Sequence, residues 1–395
     1  MKFAQFPDCH LGSWSSQPDM REYPLQAFEK AVGICIKEKV DFILQCGDFF
    51  DTSIPGIDAL RKAAAVLRKC KEAGIRFYAI NGSHDFSPTG KTMLSVLEDA
   101  GLLMNVAKGV EENGKFRLSF TEDPSGARLT GIVGMRNALD SEYFRKLDRS
   151  IERGSGMKIF AFHAAITECR PEGMKLESMP MSLLPKGFDH YASGHVHKRL
   201  EWEYEGRKVM YAGVLFPTSF DELENYESGF YIFEDGDMRW LDMRLFETKL
   251  IRIDADGKRP EDIEREAREK LEGSKGKFVL LRVAGTLESG KPTDIDFHSI
   301  INEAIKDGAI SIKINRNALT TKEFEEIKIR HSSSIEDMER EIISEHESQI
   351  KMAGIENSTA VRELMRCLKA EKQENENASL YEERIISEAK KVLEI

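Results

Sequence analysis

The sequence predicts an α/β protein: an α/β sandwich, then a small α+β domain, then a helical carboxy-terminal tail. Three patterns carry the prediction. As far as residue 245, short apolar runs alternate with stretches whose apolar residues recur at helical spacing. From 249 to about 318 the same alternation repeats in miniature. Beyond 331–334 the chain is charged, free of proline and helical in its apolar spacing. The boundaries read as 1–245, 246–325, a polar linker at 326–334 and the tail at 335–395.

In chain order, 3–6, 42–46, 77–80, 159–162 and 209–212 read as buried strands, being short, apolar and bounded by turn residues. Between the first two, Pro24 opens a helix with Leu25, Phe28, Val32 and Ile36 on one stripe, because its fixed φ and missing N–H suit a first turn. A second helix spans 58–73 and stops at Gly74; a third covers 92–100 and stops at Gly101. Strands separated by helices pair in parallel, since a crossover has the length to return the chain to the same edge. After Gly194 the strands 209–212, 229–234 and 239–245 crowd together, which predicts an antiparallel finish. The small domain reads as strand 250–253, helix 260–272, strand 277–283, helix 298–307 and strand 310–314. In the tail, Ile335, Met338 and Ile342, then Val361, Leu364, Met365 and Leu368, fall at helical spacing. Ser379 with Glu382 forms a capping-box pattern before Ile385, Ile386 and Ala389. Such a tail packs on its own protein or docks in a partner's groove; the polar linker before it favours a partner.

Composition narrows the class. With 41% hydrophobic and 32% charged residues the chain is globular, which excludes a collagenous, wholly disordered or membrane-spanning protein. No apolar run approaches the ~20 residues that cross a bilayer. The start MKFAQFPDCH lacks the basic and long apolar regions of a signal peptide, which predicts a cytosolic address. The net charge is −11, and −6 of it lies in 335–395, where 9 Lys plus Arg meet 15 Asp plus Glu. A nucleic-acid partner is therefore not excluded, because the local field matters more than the sum. The six cysteines show no C-x-x-C spacing and read as reduced structural thiols.

The chemistry sits where strands end. KFAQF runs into Asp8 and His10; FILQC into Asp48, with Asp51 beyond; FYAI into Ser83, His84 and Asp85; IFAF into His163; and a further segment delivers His195 and His197. Sites in open α/β sheets form at the carboxyl ends of strands. A single buried histidine is usually a satisfied core residue, but five strand ends in step are not. Two carboxylates with four imidazoles suit manganese, iron or zinc better than calcium, and outnumber the ligands of one tetrahedral ion. A pair of ions ~3.5–4 Å apart, bridged by one carboxylate, accounts for the count and suits phosphoester hydrolysis. His190 reads as packing. SPTGKT, around Lys91, lacks the glycine a phosphate loop needs, and reads as a helix start.

Taken in order, D-x-H, G-D, G-S-H-D, a lone His and G-H-x-H resemble the calcineurin-like metallophosphoesterase signature. DCHLG, GDFFDTSIP, INGSHDFSPTG and GHVHK followed by VMYAG are most similar to the nuclease subunit of the DNA double-strand break repair nuclease–ATPase complex, the meiotic-recombination-eleven or SbcD type, of archaeal kind. The likeness is one of motifs over 1–245 and of position and architecture beyond. It implies a metallophosphoesterase α/β sandwich, with Asp8, His10 and His197 on one ion, His163 and His195 on a second, and Asp48 bridging. His84 becomes the unliganded catalytic imidazole, oriented by Asp85. Two manganese ions per subunit are implied, with magnesium, iron or zinc as alternatives. The family's asparagine ligand is Ser83 here, a shorter and weaker donor, which predicts a weaker second site and a higher manganese requirement.

The resemblance also implies 3′-to-5′ exonuclease action on duplex DNA and endonuclease action on single strands or hairpins. The 246–325 domain would cap the site. The tail 335–395 would dock a coiled-coil ABC-type ATPase, and the helices 58–73 and 92–100 would form a two-fold homodimer contact, although their apolar residues serve equally as core. Lys91, Arg136, Lys198 and Arg199 lie near motif loops and are candidates for DNA phosphates, each matched by the reading of an ordinary solvated charge. A prokaryotic, nucleoid-associated location follows. The alternative is a phosphatase or small-nucleotide phosphodiesterase, which leaves the extra domain and tail without a task; a DNA-bridging scaffold is disfavoured by the intact His84, Asp48 and His163.

Overall fold

The computed structural model describes residues 1–86, 92–135, 139–170, 176–321, 363–364, 366–368, 370 and 378–392. Lys91, Arg136, the linker 326–334 and the tail as far as 362 lie outside the described residues. By internal contacts the chain divides into Met1–Thr320 and Thr321–Ile395.

In the first unit two six-stranded sheets face each other. One runs Asp237–Asp242, Gly229–Glu234, Lys2–Phe6, Phe42–Gln45, Arg76–Ala79, Met104–Asn105. Lys2–Phe6 pairs in parallel with Phe42–Gln45, and that strand with Arg76–Ala79, while Gly229–Glu234 closes antiparallel on Lys2–Phe6. The helices Tyr23–Glu38 and Ile57–Glu72 supply the crossovers. The second sheet runs Arg199–Tyr204, Arg207–Ala212, His190–Gly194, Met157–His163, Ala127–Ile132, Thr121–Glu122, with the middle four parallel.

Strand alternation decides which residues meet. Phe3, Phe42, Leu44 and Tyr78 of one sheet and Leu129, Ile159, Ala161 and Ala192 of the other fill the space between them, while Ala4, Phe6 and Ile43 turn to the helices. Phe3 stacks on Phe42 at 4.9 Å; each such fully buried ring is worth about 1.5–3 kcal/mol. His190 packs as expected, its Nε2 2.8 Å from Gln5 Oε1 and its ring edge-on to Phe3. All six cysteines are free and buried.

Several strands escape the sequence pattern, and two of six residues each show why. Ala127–Ile132 carries Arg128, Thr130 and Gly131 among its apolar residues, yet pairs centrally with Met157–His163; a Cβ at Gly131 would stand 2.4 Å from the Ala161 carbonyl oxygen. Arg199–Tyr204 alternates charge with apolar residues because it is an edge strand.

The segment 248–321 forms a third sheet, with Thr248–Asp254, Phe278–Leu287 and Ser311–Asn315 mutually parallel and the helices Pro260–Lys270 and Phe297–Lys306 as crossovers. Phe278 and Leu280 enter the core beneath the first sheet, where Phe278 stacks on Phe246 at 4.8 Å. In the second unit the helix Ala378–Val392 is described; Ser379 lies within its first turn rather than at its cap, and the Tyr381 hydroxyl donates to the Ala370 carbonyl at 3.0 Å.

Candidate metal centre

Where the parallel strands end, the backbone turns sharply. His10, Asp48 and His195 adopt left-handed φ values of 43°, 50° and 79°. For residues with a Cβ this costs on the order of 1–3 kcal/mol each, so neighbours must enforce it. Cys9 and His10 N–H both donate to the Asp48 carbonyl, at 3.0 and 2.9 Å. The buried Asp85 carboxylate accepts the N–H groups of Phe49, Phe50 and Gly82 at 3.0, 2.9 and 3.1 Å, which fixes one turn against the next.

The side chains converge. Asp8 accepts the His195 N–H through both oxygens, and its Oδ2 lies 3.2 Å from His197 Nε2. Asp48 Oδ1 accepts the His84 N–H at 2.7 Å, while Oδ2 lies 3.1 Å from His163 Nε2 and 3.8 Å from His10 Nε2. Three overlapping groups result: Asp8, His10 and His197; His10, Asp48 and His84; Asp8, Asp48 and His163.

Four of the imidazoles are gripped from outside. Nδ1 of His10 faces Asp51 Oδ1 at 3.2 Å, that of His197 faces Glu222 Oε1 at 2.9 Å, that of His163 the Cys46 carbonyl at 2.9 Å and that of His84 the Asp51 carbonyl at 2.6 Å. These oxygens only accept, so Nδ1 carries the proton and Nε2 keeps its lone pair. His10 Nε2 and His197 Nε2 then face each other at 3.0 Å, and His163 Nε2 is buried without a hydrogen bond. Lone pairs aimed at one another beside two carboxylates repel unless a cation lies between them. The electrostatics of the site agree. Burial alone would lower His163 and His197, but Asp48 and Asp8 around the first, and Asp8 and Glu222 around the second, raise both to about 10. His195 is lowered to about 4 by burial and then by the charge of His163. Asp48 is held well below its ordinary value although burial opposes it, chiefly by His163. Without an ion, protons must serve as the positive charge. The donor set fits a dimetal site.

A family model for calcineurin-like phosphoesterases matches residues 1–199. The chain belongs to that family. Among curated proteins, the DNA double-strand break repair protein Mre11 of Sulfurisphaera tokodaii is 30% identical over 226 residues, 56% of this chain and 55% of that one. The protein of the same name from Saccharolobus solfataricus is 30% identical over 230 residues, 56% of each chain. That of Methanococcus maripaludis is 26% identical over 373 residues, 89% of this chain and 92% of its own. The chain thus spans little more than half the length of the first two.

Within this phosphoesterase the candidate ligands read from the sequence, Asp8, His10, Asp48, His163 and His197, come together as described, and the His195 ring lies 5.1 Å from that of His163. Ser83 lines a cleft of about 440 Å³ with His84, His163, His195, Asp140 and Met179. Asp85 has another task than the one expected of it: its oxygens are taken by backbone N–H groups, and the His84 ring is held by the Asp51 carbonyl instead. Lys198 is exposed, but the Arg199 guanidinium lies 3.4 Å from Glu227 and 5.2 Å over Trp240, already partnered. Sequence reading missed Glu222 and Asp140. Ser219 with Glu222 is a capping-box spacing, visible in the sequence, yet it signals a helix start and not an imidazole partner. Asp140, raised to about 6 by burial, faces the cleft with no motif around it.

Proposed function

We propose that this chain is a metal-dependent DNA nuclease that processes ends at double-strand breaks, with two manganese ions per subunit, 3′-to-5′ exonuclease action on duplexes and endonuclease action on single strands or hairpins. The observation that carries the phosphodiesterase chemistry is the inward-facing ring of His10, His163 and His197 nitrogens around Asp8 and Asp48. The DNA substrate rests on the likeness to the Mre11 proteins. Divalent ions held there would polarise a phosphoryl oxygen and ease deprotonation of the attacking water.

The chain's own groups do the rest. Asp8, His10 and His197 would hold one ion, His163, His195 and Ser83 the other, and Asp48 would contribute to both. His84, its Nδ1–H fixed on the Asp51 carbonyl, takes a second proton from solvent on Nε2 and, as the imidazolium, gives that proton to the leaving oxygen, returning to the neutral ring. The cleft beside His84 and His163 receives the nucleotide. The 246–325 domain restrains access, 335–395 docks a coiled-coil ABC-type ATPase, and the helices 58–73 and 92–100 pair two copies.

The test is direct: incubate the full chain and Mn²⁺ with linear duplex DNA, a hairpin, and p-nitrophenyl phosphate. Nucleotide release from DNA that disappears in His84→Ala supports the reading. Strong turnover of the small ester with none on DNA replaces it with a phosphatase.

A further inference from the structure

The short helix Phe220–Glu224 is gripped at two ends. On one side Glu222 Oε1 lies 2.9 Å from His197 Nδ1, and Oε2 accepts the Thr218 N–H at 2.7 Å. On the other, Asp221 and Glu224 face the third sheet. Arg282 pairs with both, Arg252 reaches Glu224 Oε2 at 2.9 Å, and the Arg282 guanidinium lies 5.1 Å over the Phe220 ring. Arg252 and Arg282 are partners in register on the parallel strands Thr248–Asp254 and Phe278–Leu287, so one patch of that sheet presents two cations to a single helical turn.

A helix of one turn has almost no stability of its own, and its position is set by its attachments. The Glu224 side chain is only 8% exposed, so its two arginines are its neutralising partners; stripped of them, the carboxylate must move toward water. Glu222 moves with the same turn. We infer that Arg282, assisted by Arg252, is a positioning residue for the metal centre: through Phe220–Glu224 the third sheet sets the orientation of the His197 imidazole, and with it the affinity of the ion held by Asp8, His10 and His197. The inference rests on the dimetal reading. It also carries an asymmetry. His163 is oriented by the Cys46 carbonyl and Asp48 by the His84 N–H, neither of which belongs to this helix, so the second ion is untouched.

Calorimetric titration of the metal-free full chain with Mn²⁺ tests it. Arg282→Ala weakens one of the two classes of site by about tenfold, the range found when the outer partner of a metal-bound histidine is disturbed, and leaves the other unchanged. Arg282→Lys, which keeps the charge without the fork, recovers part of the loss, and Glu222→Gln weakens the same class. Wild-type affinity at both sites in Arg282→Ala, or an equal loss at both, overturns the inference. If that variant does not fold, Arg252→Ala, which removes one of Glu224's two partners, is read in the same way. A wild-type chain that takes up no Mn²⁺ overturns the dimetal reading itself, a result distinct from two intact sites that ignore Arg282.

Discussion

Gly194 ends the strand His190–Gly194 against the centre. A Cβ built there lies 2.3 Å from Asp8 Oδ1, 2.3 Å from the Cys46 carbonyl oxygen and 2.8 Å from His163 Nδ1. Ordinary contact begins near 3.4 Å, so Gly194→Ala forces a displacement of about 1 Å. The Cys46 carbonyl belongs to the backbone and gives little; Asp8 and His163 must yield. Overpacking of this kind costs about 1–3 kcal/mol of stability. A 1 Å misplacement of reacting groups costs about 10²-fold in rate, so activity falls further than stability does. Gly131→Ala supplies the comparison. Its Cβ lies 2.4 Å from the Ala161 carbonyl in the same sheet and its three nearest neighbours are all atoms of Ala161, none of a candidate ligand, so its loss of stability leaves Mn²⁺ affinity unchanged. Thermal melts, Mn²⁺ titration and nuclease rates on the two variants decide the matter. A Gly194→Ala protein with wild-type metal affinity and rate, or a Gly131→Ala protein that loses metal equally, refutes the geometric argument.

Three further outcomes follow from the same structure. His84→Ala lowers the cutting rate by about 10²–10⁴-fold while Mn²⁺ titrates as in the wild type; an undiminished rate removes His84 from proton transfer. Ser83→Asn, which offers an amide oxygen in place of a hydroxyl, tightens the weaker Mn²⁺ site, and an unchanged titration denies Ser83 a part in it. His190, lowered to about 3 by burial, stays neutral in the fold while an unfolded histidine takes up a proton near pH ~6.5. The unfolded state therefore binds more protons between those values, and the stability tied to a neutral His190 is lost as pH falls through that window. His190→Phe leaves Gln5 Oε1 without its 2.8 Å partner and so melts below the wild type at pH 7, but the gap narrows by pH 4. A gap that is constant with pH contradicts the assignment.

The candidate ligands were legible because they obey a local rule: each follows an apolar strand by a few residues, and parallel strands bring their ends to one edge. Asp8, Asp48, His163 and His197 needed no more than that. What was illegible depends on partners distant in sequence. Glu222 turns to His197 across 25 positions, and Asp85 reads as a companion to His84 until its three backbone donors are seen. The core strand Ala127–Ile132 hid for a similar reason. Its Thr130 and Gly131 look like turn residues, but Thr130 donates to the Ser119 carbonyl at 3.0 Å and Gly131 lets the neighbouring strand approach. Arg199 failed oppositely: its closeness to a motif loop said nothing of Glu227 and Trp240, which already hold it.

The stack of Phe246 on Phe278 bears on how this protein can be dissected. Phe246 is ringed by Tyr23, Phe216, Tyr226 and Phe278, so aromatic residues from both sides of the 245/246 junction make one continuous apolar seam. A fragment cut at 245 would present Tyr23, Phe216 and Tyr226 to water and invite aggregation. Truncation at that point would report on a damaged seam as much as on a missing third sheet, and point substitutions that leave the seam sealed are the cleaner instrument.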